Sequence, residues 1–198
     1  MQREVYKPLK SVPLNAGSTC RRPDEYPELA IDSPAIDAMT DFQRVAPVTI
    51  RPDATLAQAT TLMVARRIRL LFVVDADEAI VGMITARDTM GERPIKLLQQ
   101  QGGKHGDLKV ADVMTPLSVL EGFPLGDVLH AEVGHILATL KQIGRQHALV
   151  VERDAATGRN EVRGMFSATA IGRQLGVPVQ TFEIANTFAE IEAALAQT

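Results

Sequence analysis

A hydroxyl side chain and a carboxylate stand three residues apart where the sequence predicts that a strand ends and a helix begins. They are Thr85 and Asp88, in the segment Gly82–Asp88, which reads GMITARD. The free N–H groups at a helix start favour an anion, so this junction can hold a phosphate. The spacing is also close to that of a capping box, which satisfies those N–H groups internally. Both interpretations stay open, and the pair can cap the helix when empty and contact a ligand when full.

The other residues of chemical interest form no recognisable reactive set. The four histidines are scattered, and His130 and His135 are five apart, so they do not share a helical face. No cysteine or carboxylate completes a zinc site with them, and we predict no metal site. The G-x-S-x-G and P-loop motifs are also absent. We therefore predict no catalytic residues and a protein that is not an enzyme.

Three short segments recur in the same order in the second half of the chain, which indicates an internal repeat. The matching pairs are Ala38–Thr40 with Val113–Thr115, Arg69–Asp75 with Gln146–Glu152, and Gly82–Arg87 with Gly164–Thr169. The second copy is longer, and we place its insertions near Leu120–Pro124 and in the hairpin Arg153–Arg163.

Each copy shows the same order of local patterns. A helix with apolar residues at helical spacing precedes a buried strand, a turn, a second strand and a further helix. The helical positions are Leu56, Ala59, Leu62 and Met63 in the first copy and Val133, Ile136, Leu137, Leu140 and Ile143 in the second. Thr55 is a plausible N-cap, and Pro94 should break or kink the helix that begins at Ala86. A β-α-β-β-α unit of roughly 60 residues closes its own core poorly, so two should pack sheet to sheet about a pseudo-twofold axis.

These patterns divide the chain into five parts. We predict an extended, proline-interrupted arm at 1–30, a first motif at 31–98, a linker rich in Gly and Gln at 99–107, a second motif at 108–178, and a strand and helix at 179–198.

The ordered set of motifs, occurring twice, resembles the CBS domain and its tandem form, the Bateman module. The resemblance covers roughly residues 34–178. It implies an α/β (α+β) fold of two CBS motifs that bind an adenosine nucleotide in the cleft between them. In the family's G-h-h-[ST]-x-x-[DN] stretch, the hydroxyl approaches the phosphate and the carboxylate holds the ribose hydroxyls. Thr85 and Asp88 match these two positions, and the resemblance favours ligand binding over capping alone.

Further site residues follow from the same resemblance. In the first copy it implies Thr49, Ile50, Ile68, Arg69 and Arg87, with backbone groups of Ile68 and Arg69 near the adenine. A weaker second site would use Ser167, Arg145, Gln146 and His147, with Arg173 as a further candidate for phosphate charge. The second copy departs from the pattern, because Ala170 stands where the carboxylate should be and Gly126 stands near the position of Thr49. We therefore expect one competent nucleotide site.

Composition narrows the possible partners. The formal charge is −3, so the chain lacks the basic surplus of a nucleic-acid binder. No apolar run approaches the roughly 18–20 residues that span a bilayer. The single cysteine, Cys20, excludes an intramolecular disulfide, and we expect a cytoplasmic protein.

Two functions remain open. In the first, the chain is a regulatory module that binds AMP, ADP or ATP, with magnesium entering only with the nucleotide, and modulates an unidentified protein partner. In the second, it is a structural or interaction scaffold with no nucleotide ligand. We expect a homodimer in which the helices near Ala86–Met90 and Ala168–Leu175 supply apolar residues for the contact.

Overall fold

The structure is a computed structural model that describes residues 11–13, 15–16, 18, 29–177, 189–193 and 196. Helices and strands are mixed throughout, which confirms the predicted fold class. The first half contains β1 Thr40–Asp41, β2 Thr49–Ile50, α1 Leu56–Arg66, β3 Leu70–Val74, β4 Ile80–Thr85, α2 Ala86–Met90 and α3 Glu92–Gln101. The second half contains α4 Val110–Val113, β5 Thr115–Pro116, β6 Gly122–Pro124, α5 Leu125–Val128, α6 Val133–Gln142, β7 His147–Arg153, β8 Asn160–Ser167 and α7 Ala168–Gln174. Residues 189–193 are also helical.

The two amphipathic helices form where the apolar spacing predicts them. Thr55 caps α1, accepting from the N–H of Gln58, whose side chain accepts from the N–H of Thr55 in return. Helix α6 buries four of its five predicted apolar residues. The fifth, Ile143, lies beyond the end of the helix and is 45% exposed. Ile143 is the C-cap residue: its backbone is still helical and its N–H donates to the carbonyl of Thr139 at 3.0 Å, but its side chain does not join the core.

The two halves exchange their first strands. One four-stranded sheet has the order β2-β3-β4-β5, and the other has the order β1-β8-β7-β6. Strand β1 thus pairs antiparallel with β8 of the second half, and β5 pairs antiparallel with β4 of the first half. The pseudo-twofold pair predicted from the repeat is present, but each sheet is completed by a strand from the other copy.

Two glycines make this exchange possible. A Cβ on Gly82 would meet the carbonyl oxygen of Thr115 at 2.6 Å, and one on Gly164 would meet that of Thr40 at 2.6 Å. Any side chain at either position would push away the short strand that comes from the other half. The two glycines occupy matching positions in the repeat. In each copy, a glycine therefore lets the backbone of the strand from the other copy come close.

A partly buried ion pair also holds β1 on β8. Nη2 of Arg163 donates to Oδ2 of Asp41 at 3.2 Å and to Oε1 of Gln43 at 2.8 Å. The backbone N–H of Phe42 donates to the carbonyl of Arg163 at 3.0 Å. The ring of Phe42 then meets that of Phe72 edge-on, with centroids 5.5 Å apart, which links this corner to the other sheet.

The core has a layer between the sheets and a layer under the helices of each half. Strand β3 is buried on both faces: Leu70 and Phe72 face the other sheet, and Leu71 and Val73 pack under α1 and α4. Leu149 of β7 meets Leu70 and Phe72 between the sheets. The predicted sheet-to-sheet packing is therefore present.

The helix after β4 breaks at Gly91 rather than at Pro94. Pro94 is the third residue of α3, where a missing N–H leaves no intrahelical bond unmade. In one continuous helix its ring would clash with the carbonyl of Met90, so the chain ends α2 and starts again. Helix α3 then runs to Gln101, so the first residues of the predicted linker are helical. The domain boundaries themselves stay a prediction.

The first of the two predicted insertions in the second copy lies later than predicted, whereas the hairpin between β7 and β8 is longer than that between β3 and β4, as predicted. Gly122–Pro124 is a true strand that pairs with β7, and the added segment is α5. Thr49 pairs with Phe72, and Gly122 pairs with the matching Leu149. Gly122 is therefore the structural counterpart of Thr49, and the assignment to Gly126 is wrong because α5 shifts the alignment by four residues.

Several predicted features concern the ends of the chain and its surface. Most of the arm, including Cys20, lies outside the described residues, as does the predicted strand at 179–184. No described helix has the length and apolar character needed to cross a membrane.

Ala168 and Ile171 of α7 are buried in the core, so they cannot supply a dimer contact, whereas Met90 of α2 is 62% exposed. A homodimer stays a prediction.

Candidate functional site

The hydroxyl and carboxylate predicted as a ligand site lie at the junction of β4 and α2 and bind each other. The N–H and hydroxyl of Thr85 both donate to Oδ2 of Asp88, at 2.8 and 2.7 Å. The N–H of Asp88 donates to Oγ1 of Thr85 at 3.4 Å, which completes a capping box. Among the described residues no hydrogen bond ends on Oδ1 of Asp88. The cap therefore occupies one carboxylate oxygen and leaves the other for a ligand.

This junction opens onto a cleft of about 180 Å³ that both halves line. We call it the α2 cleft. Its lining residues are Met83, Thr85, Arg87, Asp88, Thr115, Gly144, Arg145, Gln146 and His147. Thr85, Arg87 and Asp88 come from the first half, and the segment Gly144–His147 comes from the second. The structure thus joins predicted first-site residues to residues predicted for the second site.

Backbone connections fix the two walls of the cleft. Gly144 has φ +62°, which lets the chain turn sharply from α6 toward β7. The carbonyl of Gln146 accepts the N–H of Ala168 at 2.9 Å, and that of Arg69 accepts the N–H of Ala86 at 2.9 Å. The predicted adenine contacts near Arg69 and Gln146 would therefore have to use the second lone pair of each carbonyl.

Thr115 was missed as a lining residue. It belongs to β5, which reaches the cleft only because the strands are exchanged. The repeat itself offered a signal, since Thr115 matches Thr40, but nothing in the local sequence shows which sheet such a short strand joins.

His147 brings an ionisable ring to the inner wall of the cleft. Burial, with the positive charge of Arg69 as the second cause, lowers the pKa of His147 to about 4. The ring is therefore neutral near pH 7 and can either donate or accept a hydrogen bond. No group of three or more His, Cys, Asp and Glu side chains suited to a metal ion occurs in the described part of the chain.

The low pKa of His147 predicts acid sensitivity. An unfolded chain takes up this proton near pH 6.5, whereas the folded one does so only near pH 4. Between these values the unfolded state binds more protons, so stability falls as the pH falls through this window. At pH 5 we expect a loss of about 1–2 kcal/mol relative to pH 7 from this group. Urea denaturation of wild type and His147→Gln at both pH values measures it, and an equal pH effect in both proteins would contradict the assignment.

The remaining predicted residues do not line the α2 cleft. Thr49 and Ile50 form the edge strand β2, and Thr49 is exposed. Ile68 and Arg69 precede β3, where Arg69 faces the second strand-to-helix junction: its Nη1 lies 3.4 Å from Oγ1 of Thr169. We call the region formed by Ser167–Ala170 and Arg69 the α7 junction. The side-chain cap bond at this junction is long, 3.5 Å from the N–H of Ala170 to Oγ of Ser167.

Comparison with known proteins agrees with this architecture. Residues 35–93 match the family model of the CBS domain. Inosine-5'-monophosphate dehydrogenase of Mycobacterium tuberculosis is 60% identical over 42 residues, which are 21% of this chain and 8% of the enzyme. The chain therefore corresponds to only a small fraction of the length of this relative.

Solved structures extend the similarity beyond the first copy. An uncharacterised conserved protein from Pyrococcus horikoshii aligns with a TM-score of 0.53 and 19% identity, over 77% of this chain and 99% of that one. CBSX2, solved in complex with AMP, aligns with a TM-score of 0.49 and 20% identity, over 71% of this chain and 94% of that one. At 19% identity, the similarity to the Pyrococcus horikoshii protein shows a shared fold and says nothing about a ligand. The CBS family model therefore accounts for the first copy of the repeat, residues 35–93, and the second copy repeats the same fold.

Proposed function

We propose that the α2 cleft binds the ribose and phosphate groups of an adenosine nucleotide, AMP, ADP or ATP, and that binding regulates a protein partner. The observation that supports the proposal is that Asp88, whose Oδ2 is held by Thr85, lines one cleft together with Arg145, Gln146 and His147 of the other half of the repeat. A carboxylate oxygen suits the paired hydroxyls of a ribose, and Arg87 and Arg145 offer guanidinium groups to a phosphate. The adenosine part rests on the resemblance to CBS domains.

The size of the cleft limits how much of the nucleotide it encloses. Its volume of about 180 Å³ is below the roughly 300–1,000 Å³ of typical small-molecule sites. Arg87 and Arg145 are exposed, so their side chains can move to admit a ligand. The ribose and phosphate would then occupy the cleft, and the base would lie toward its open side.

The proposed regulation would use the fact that both halves of the repeat line the cleft. A ligand in the α2 cleft touches α2 of one half and the start of β7 of the other, so it links the two copies. It can change their relative packing only if it binds one arrangement more tightly than another. A partner that recognises the favoured arrangement would respond to the nucleotide level. The proposed role is regulation by ligand binding.

A thermal shift series tests the proposal. We expect AMP, ADP or ATP at about 100 times its Kd to stabilise the fold by about 2.7 kcal/mol, which raises Tm by about 5–10 °C. NAD(H) and S-adenosylmethionine test how strictly the adenosine nucleotide is selected, and ATP is tested with and without magnesium. Inorganic phosphate at equal ionic strength is the control for a general anion effect. If no adenosine compound raises Tm above this control at millimolar concentration, the proposal fails.

The second candidate function is an interaction scaffold without a nucleotide. Asp88 already has a structural role in the cap of α2, and Ala170 cannot hold a ribose at the α7 junction. A thermal shift series without any stabilisation, together with a fold that remains intact, would favour the scaffold.

A further inference from the structure

A short helix near the end of the chain packs onto the second half. We call the helical segment 189–193 the tail helix. Its Ile191 is 1% exposed and belongs to the same apolar cluster as Leu137 of α6. The neighbouring Glu192 forms an ion pair with Lys141, also of α6. One face of α6 is therefore covered by a helix that the chain itself supplies.

The sequence around the tail helix has an apolar side and acidic residues. Residues 187–198 read TFAEIEAALAQT and contain no lysine or arginine. The apolar residues have the spacing of one helix face, i, i+3 and i+7, at Phe188, Ile191 and Leu195. Glu190 and Glu192 supply the negative charge. The second half thus holds an acidic, amphipathic helix by one buried apolar side chain and one lysine.

The corresponding face of the first half is open. Alignment of α1 with α6 on their N-cap residues places Val64 at the position of Lys141. Val64 is 73% exposed, and Met90 of α2 and Ile95 of α3 are 62% and 52% exposed. Helix α2 contacts both α1 and α3, so the three helices form one surface. We call Val64, Met90 and Ile95 the open face, because no described segment covers them.

Two arginines lie at the end of α1 beside the open face. Arg66 and Arg67 are exposed, and neither forms a salt bridge with a described carboxylate. Arg67 has φ +55°, a left-handed backbone that favours glycine, and the second copy has Gly144 at this position with φ +62°. Strained backbone of this kind is found mostly at functional positions. The first copy therefore keeps a cation where the local backbone alone would favour glycine.

We propose that the open face, with Arg66 and Arg67, binds an acidic amphipathic helix of a partner protein. The second half shows the mode of binding, since it already holds a helix of this chemistry on the corresponding face of α6. An amphipathic helix lays its apolar side on an apolar surface, and its carboxylates can pair with the two arginines.

This surface extends the regulatory part of the proposed function and rests on it only for the link to the nucleotide. Met90 follows Asp88 by two residues on α2, so a ligand in the α2 cleft and a partner on the open face would contact the same short helix. The binding of the partner helix itself does not require a nucleotide.

The probe is a fluorescein-labelled peptide of residues 187–198 with a staple between Ala189 and Ala193. Both alanines are exposed in the tail helix and lie one turn apart, so the staple holds the helix without covering its apolar side. Fluorescence anisotropy with the full chain measures binding. We expect saturable binding that weakens at high salt, because exposed charges are screened. A peptide with lysine in place of both glutamates should bind at least about tenfold more weakly.

Val64→Asp tests the open face directly. The new carboxylate places a charge in the apolar contact and repels the glutamates of the peptide, so affinity should fall at least about tenfold. Val64 is exposed, so this variant should fold normally. Leu129→Asp is the matched control, because Leu129 is 56% exposed at the end of α5 in the second half. We expect it to bind the peptide as wild type does.

Four results would overturn the proposal. Two are the absence of peptide binding to wild type at high micromolar concentration and equal binding by Val64→Asp and wild type. Binding that Lys141→Glu abolishes and Val64→Asp leaves intact would mean that the peptide replaces the tail helix on the second half. Self-association in sedimentation that Val64→Asp prevents, without peptide binding, would make a second copy of the chain the occupant.

The nucleotide series separates this proposal from the proposed function. Peptide binding together with a thermal shift series that shows no nucleotide effect would support the open face and refute the nucleotide site. Nucleotide stabilisation without peptide binding would refute the open face and support the nucleotide site.

Discussion

Asp88→Ala is expected to weaken adenosine-nucleotide binding about ten- to a hundredfold. Oδ2 of Asp88 is held by the N–H and hydroxyl of Thr85, which fixes the position of this carboxylate in the lining of the α2 cleft. Losing a charge-assisted hydrogen bond costs roughly 1.5–3 kcal/mol, which corresponds to that change in Kd. Isothermal titration calorimetry with the nucleotide that gives the largest thermal shift measures the effect.

Two further variants separate binding from folding. Loss of the cap costs only about 1 kcal/mol, so circular dichroism of Asp88→Ala should still show the native fold. Ala170→Asp is the converse change, because it restores a carboxylate at the α7 junction. It should create or strengthen a second nucleotide site, which calorimetry reads as a higher stoichiometry. Wild-type affinity and stoichiometry in Asp88→Ala would show that the site has been assigned wrongly.

Gly164→Ala and Gly82→Ala should each destabilise the fold by about 2–3 kcal/mol. The new Cβ would lie 2.6 Å from a backbone carbonyl of the exchanged strand, and a backbone atom cannot swing aside as a flexible side chain can. Overpacking of this kind costs typically 1–3 kcal/mol, and the displaced strand also weakens its two-residue pairing. Urea denaturation at pH 7 measures the loss as a lower midpoint.

Gly126→Ala is the control for these two substitutions. Gly126 lies in α5, and an added Cβ there would have nothing within 4 Å. Alanine is also the better helix former by about 1 kcal/mol, so this variant should be neutral or slightly more stable. Midpoints of Gly82→Ala and Gly164→Ala equal to that of Gly126→Ala would mean that the close approach of the exchanged strands does not constrain the fold.

Local features of this protein can be predicted from the sequence, because neighbouring residues decide them. The capping boxes of α1 and α2 need only a side chain and an N–H three residues apart. The turn after β3 is equally local, since Oδ1 of Asp75 accepts the N–H groups of Asp77 and Ala79 at 3.0 Å. The two buried strands and the paired repeat follow from apolar patterns of the same short range.

Two features were predicted at the wrong position, the helix break after β4 and the insertion in the second copy, because residues farther along the chain decide where they fall. Pro94 forces the helix to restart, but the break falls at Gly91, where the chain bends most easily. The insertion after β6 folds as a short helix, which shifts the alignment of Gly122 with Thr49. A linear comparison of the two copies cannot show where an insertion is accommodated, because the pairing with β7 decides it.

The sequence alone predicted only part of the arrangement of residues around the α2 cleft. Thr85 and Asp88 could be predicted from their spacing, because one capped helix turn places them together. Their companions Thr115 and His147 come from the other half of the repeat, brought there by the exchange of strands and the turn at Gly144. The pKa of His147 depends on burial and on Arg69, which is distant along the chain. The sequence thus determined which chemical groups each wall of the α2 cleft carries. Only the tertiary structure decided that these two walls face each other, because backbone pairing between strands distant along the chain brings them together.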